Sequence, residues 1–130
     1  MEKNQLIKVY GTIYRVLAVD GEDILLIDCM KRTMPKWHEA GWADGYEECS
    51  EEELSEATGI VVVDEQDMEP RARCTAHERF TVVAGILPFV DDDRIRTEAV
   101  KRASKEKGIC EQTVRNYLCR YLVYLVLEYK

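Results

Sequence analysis

The feature that most restricts what this chain can fold into is Gly108, because of the residues on either side of it. Ala103 lies five residues before it, Ile109 follows it, and Val114 and Leu118 return six and ten residues after it. That spacing predicts a short helix, a tight turn and a second helix packed on the first, the pattern of a helix-turn-helix. Glycine takes the left-handed backbone that ends a helix without a side-chain penalty, and Ile109 is then placed to plug the space between the helices. From Glu111 the apolar positions Val114, Leu118, Tyr121 and Leu122 recur at helical spacing, which puts Gln112, Arg115, Asn116 and Cys119 on the opposite face. Two positions depart from the usual pattern: Cys110 stands where Ser, Thr or Asp would cap better, and Lys107 where an apolar residue is usual.

Charge decides what such a face can meet. The net charge over 130 residues is -7, which by itself opposes a polyanionic partner. It is unevenly spread: residues 1–70 hold 6 Lys/Arg against 17 Asp/Glu, a balance of -11, and residues 71–130 hold 12 against 8, a balance of +4. Phosphate binding depends on the local field of a face, so the second part can meet nucleic acid while the first stays solvated or faces a protein.

No apolar run approaches the roughly 20 residues a membrane helix needs. The start, MEKNQLIKVYG, lacks the apolar core of a secretory signal, so a cytoplasmic location is expected. Five cysteines, Cys29, Cys49, Cys74, Cys110 and Cys119, are an odd, scattered set with no CxxC pair and read as reduced thiols. Cys74 and His77 have half of a zinc spacing, but no second pair matches them. No glycine-rich phosphate cradle is present, and neither metal nor cofactor is expected.

Residues 6–30 alternate in short apolar runs, and the Asp20-Gly21 pair between two β-branched runs predicts a hairpin. Simple alternation places Tyr14, Val16 and Ala18 on one face and Ile13, Arg15, Leu17 and Val19 on the other. Residues 31–49 lose the periodicity and read as a loop or a third strand with a turn, its tryptophans covering the sheet. Ser50 with Glu53 forms a capping box and Gly59 a stop, which predicts an acidic helix over 51–58, with a further strand over 60–63. The polar segment 64–70 is the expected boundary. Beyond it, Phe80, Val83, Ala84 and Leu87 line one face of a helix, and Asp91, Asp92 and Asp93 precede the next, where acids suit the positive helix end. Three helices are expected, near 74–87, 93–107 and 111–127. The last stretch, YLCRYLVYLVLEYK, is apolar on nearly every side, which calls for a covering partner, another subunit or a longer polypeptide.

The expected fold is therefore α+β: a small β-rich domain over 1–70, then a tri-helical helix-turn-helix domain over 71–130. The hairpin GTIYRVLAVDGEDILLIDC, the KRTMP segment and the helical GICEQTVRNYLCRYL, with its GxxxxTVRxYLxRY pattern, together resemble the amino-terminal region of bacterial Mu-like DDE transposases of the integrase superfamily. The resemblance covers most of the chain. It implies a β domain and tri-helical modules that bind the terminal repeats of a mobile element, ahead of a catalytic domain that uses three carboxylates and divalent metals. Nothing in residues 1–130 offers such a scaffold, so the chain is expected not to cut or join DNA by itself.

The expected partner is double-stranded DNA, with a homo-oligomer possible on it. Gln112, Arg115 and Asn116 are the candidate base readers, since Arg pairs bidentately with guanine and Asn or Gln with adenine. Thr113 and Arg120 would reach phosphates at the groove edges, and Lys101, Arg102 and Lys105 would anchor the backbone from the preceding helix. A protein-interaction adaptor working through Tyr117, Tyr121, Tyr124 and Tyr129, or a free-standing transcriptional regulator, are the alternatives.

Overall fold

A computed structural model describes residues 1–125. The chain is α+β and divides into two compact units, residues 1–60 and 61–130. Among the described residues no helix is long and apolar enough to cross a membrane.

The first unit is a five-stranded antiparallel sheet: β1 (Leu6–Val9), β2 (Thr12–Asp20), β3 (Asp23–Asp28), β4 (Lys36–Glu39) and β5 (Glu47–Cys49), in the order β4-β3-β2-β1-β5. The Asp-Gly hairpin forms where it is expected, with Asp20 facing Asp23 and Gly21 at φ 61°. The face assignment past Val16 is different. The register slips between Val16 and Ala18, so Val16 faces Leu26, Ala18 faces Leu25 and Leu17 is an extra residue. Val19 therefore joins the face of Val16 and Ile24, and Ala18 crosses to the other side. Alternation alone carries no signal of a bulge.

Both faces of this sheet are covered. On one side Ile7, Val9, Val16, Ile24, Leu26 and Ala43 form a core, with Tyr14, Trp42 and Tyr46 packed against it. The 3-10 turn Ala40–Ala43 supplies Trp42 and Ala43. The acidic segment Glu47–Cys49, read from sequence as irregular, is a strand because Glu48 and Cys49 pair with Ile7 and Leu6. Trp37 lies on β4 and is 39% exposed, so it covers less of the sheet than expected.

The helix α1 (Glu51–Thr58) begins at Ser50, whose hydroxyl accepts from the Glu53 amide at 3.1 Å, and ends at Gly59 in the left-handed region. Its Glu51 chelates the guanidinium of Arg15 at 2.9 and 3.0 Å, and Arg15 also donates to the Asn4 carbonyl at 2.7 Å. Arg15 is 1% exposed, so these bonds replace the water its charge has lost. Residues 60–63 contain only an isolated bridge at Val62, not the expected strand, and Val61 and Val62 are exposed.

The second unit holds α2 (Pro70–Ala84), α3 (Asp93–Lys107) and α4 (Glu111–Tyr124). Proline at the first helical position starts α2 earlier than the apolar pattern suggests. The helix stops at Ala84, so Leu87 falls in a separate 3-10 turn and the buried set is Val82, Val83 and Ile86. Phe80 and Ala84 remain exposed. The α3 bounds match the expected 93–107, and Asp92 caps it by accepting from the Ile95 amide at 3.0 Å. Buried Arg96 pins the start of α3 by donating to the Val90 carbonyl at 2.6 Å and to Asp93. Residues 126–130, including Tyr129 and the last five residues of the apolar terminal stretch, lie outside the described residues.

Candidate functional site

The turn between α3 and α4 takes the conformation its sequence suggests. Gly108 is left-handed at φ 67° and its amide donates to the Ser104 carbonyl. Ile109 is half-buried, and its amide donates to the same carbonyl at 3.2 Å, while the Ser104 hydroxyl donates to the Ile109 carbonyl. Cys110 occupies the cap position of α4 without the side-chain capping bond that a Ser, Thr or Asp makes. Its sulfur sits 3.1 Å from the Thr113 hydroxyl, and that hydrogen bond, with those from nearby amides, lowers the thiol pKa.

On the first two turns of α4 the polar side chains are joined into a ladder. Arg115 donates to the Gln112 side-chain oxygen at 3.0 Å, and the Gln112 amide donates to the Asn116 oxygen at 3.1 Å. Arg115 also lies 3.6 Å from the Glu111 carboxylate. Gln112 is exposed and Arg115 and Asn116 are half-exposed. Three side chains are thereby joined in one arrangement.

The ladder stops there. Cys119, expected on the polar face, is 5% exposed, and Val123 beyond it is equally buried. The reason is that α4 packs against both α2 and α3, so its buried stripe widens toward its carboxyl end. The polar surface is confined to the amino-terminal half of the helix.

The remaining candidates are distributed around this surface. Thr113 is half-buried and turned toward Cys110, and Arg120 is half-buried a turn past Asn116. Lys101, Arg102 and Lys105 are all exposed on α3, whose last residue but two is Lys105. Tyr117, Tyr121 and Tyr124 are half-buried. Tyr121 packs on Phe80 with ring centroids 5.5 Å apart.

A second cationic locus carries no motif and is visible only in three dimensions. Arg79 on α2 lies over the Tyr117 ring at 5.2 Å, and with Lys107, Thr75, Glu78 and Ile109 it lines an open cavity of about 420 Å³. Lys107, unusual for a turn of this kind, is exposed at the cavity rim instead of packed between helices.

Among the described residues no group of three or more His, Cys, Asp or Glu side chains is placed to hold a metal ion. Compared with known proteins, the sequence matches no family model and no curated protein.

Proposed function

We propose that the second unit is a helix-turn-helix that binds double-stranded DNA, with the first two turns of α4 entering the major groove. In this reading Arg115 pairs with guanine and Gln112 and Asn116 with adenine, while Lys101, Arg102 and Lys105 hold the phosphates. The observation that carries it is the exposed Arg115–Gln112–Asn116 ladder directly after a left-handed glycine turn. A recognition helix uses its amino-terminal residues for base edges, and the polar surface of α4 is confined to that end. The salt-bridge partner Glu111 also fits: it keeps Arg115 extended in free protein and is exchanged for a base or phosphate on binding.

The biological setting we infer is the amino-terminal DNA-binding region of a Mu-like transposase, recognising element-end repeats and leaving the chemistry to another domain. The test is titration of the chain into duplexes from the ends of the element that encodes it, and into a scrambled duplex, at two salt concentrations. Affinity is expected to fall steeply with salt, and to drop about a hundredfold in Arg115→Ala combined with Asn116→Ala, at roughly 1–3 kcal/mol per base contact. Binding that ignores salt, or that survives the double substitution, would remove this reading.

A further inference from the structure

The turn joining β1 and β2 carries a residue that its backbone does not favour. Val9 faces Thr12, so the turn is the two residues Tyr10 and Gly11, at φ 51° and φ 80°. Asn-Gly is the pair that suits two consecutive positive φ values. A tyrosine there carries backbone strain, and burial does not offset it, because Tyr10 is 85% exposed. Strain of this kind in a side chain left open to solvent points to a use for that side chain.

The Tyr10 ring belongs to an aromatic group centred on Trp42. Tyr10 meets Trp42 edge-on with centroids 6.1 Å apart, Tyr14 meets it edge-on at 5.5 Å, and His38 stacks on it at 4.2 Å. Trp42, Tyr14 and His38 are half-buried against the sheet, so Tyr10 is the ring whose faces are open. Acids accompany the rings. Glu48, Ile7, Tyr14 and Asp28 share one row across β5, β1, β2 and β3, and the Asp28 charge helps burial raise the Tyr14 phenol pKa. Lys36 lies on the same face, in the row of Val16 and Leu26. Across residues 1–60, 6 Lys/Arg stand against 13 Asp/Glu.

We propose that this face is a docking site for a basic peptide segment of a partner protein, which seats an arginine or lysine side chain on the open Tyr10 ring beside Trp42. Aromatic faces attract cations through the ring quadrupole, and arginine stacks on them as well. A nucleic acid would also stack on aromatic rings, but its phosphates would meet a unit with a balance of -7. The two units would then divide the labour, one contacting protein and the other DNA, although the peptide site stands whether or not the DNA reading holds.

The probe is a capped hexa-arginine peptide, with capped hexaglutamate and a duplex DNA as comparisons, titrated into the full chain and followed by the two tryptophan indole N–H resonances. Trp37→Phe assigns them. Hexa-arginine is expected to move the Trp42 signal, and the other two ligands to leave it in place. Tyr10→Asn, which suits the turn and is expected to keep or raise the melting temperature, should weaken the peptide roughly threefold to tenfold, while Tyr10→Phe should retain it. An unmoved Trp42 signal, a response to duplex DNA instead, or equal affinity in Tyr10→Asn would overturn the proposal.

Discussion

Each unit buries one charged side chain among the described residues, and the two arginines are used in different ways. Arg15 in the β unit is satisfied across 36 residues of sequence, by Glu51 at the start of α1. Arg96 in the helical unit is satisfied within six residues, by Val90 and Asp93. The first fastens a helix to a sheet and so depends on the whole unit being folded. The second organises a helix start that is already specified locally by Asp92. The first is a long-range tie and the second a local one.

The largest effect should come from breaking the long-range tie. Glu51→Ala removes two hydrogen bonds from a guanidinium that is 1% exposed and should cost about 3 kcal/mol. Both tryptophans lie in residues 1–60, so urea unfolding followed by tryptophan fluorescence reports this unit. An unchanged midpoint would mean that the Arg15–Glu51 pair is incidental.

Next in size are the glycine stops, one per unit. Gly59→Ala and Gly108→Ala force a Cβ into φ 73° and φ 67° with no neighbour within 4 Å, so each should cost about 1–2 kcal/mol from backbone strain alone. The first should appear in the fluorescence transition and the second in helical circular dichroism. If both substitutions shift both signals equally, the contrast between the units fails.

Asp92→Ala should cost about 1 kcal/mol by removing the cap of α3, read from the same dichroism signal. A loss several times larger would show that the helix start is less local than its hydrogen bonds imply.

The smallest effect is on pH dependence. Burial against Trp42, and then the charge of Lys36, lower the His38 pKa below 6.5. The unfolded chain therefore takes up the proton first. The associated stability is complete above pH 6.5 and is lost as pH falls from there toward the folded-state value. His38→Gln should flatten the fluorescence midpoint between pH 7.5 and 5.5, and an unchanged slope would assign the dependence to other groups.

What the sequence made legible follows the range of each contact, in both units. The bounds of α3, the Ser50 cap, the two helix-ending glycines and the Asp20-Gly21 hairpin are written in a few adjacent residues, and all are present. The pairing of Glu47–Cys49 with a strand some forty residues earlier leaves no local mark, and neither does the seating of Arg15 on Glu51. A helical wheel puts Cys119 on the wrong surface because it assumes one buried side, and α4 has two helices against it. Leu87 left the α2 face because the helix stops at Ala84 and Leu87 starts a separate 3-10 turn. For the candidate site, side-chain identity on α4 was readable, but the hydrogen bonds linking Arg115, Gln112 and Asn116 were not. Arg79 came from a helix that no motif marked.

The slip at Leu17 has a consequence for how this strand can change over time. Because Val16 pairs with Leu26 and Ala18 with Leu25, the ladder already skips Leu17. A deletion of that one codon would close the ladder into a regular one and leave every later side chain pointing as it does now, at the cost of the packing Leu17 provides. A deletion farther from the slip, by contrast, would turn the β2 residues between it and Leu17 to the opposite face. Length variation among descendants of this sequence should therefore gather at residues 16–18 of β2 and avoid the rest of the strand.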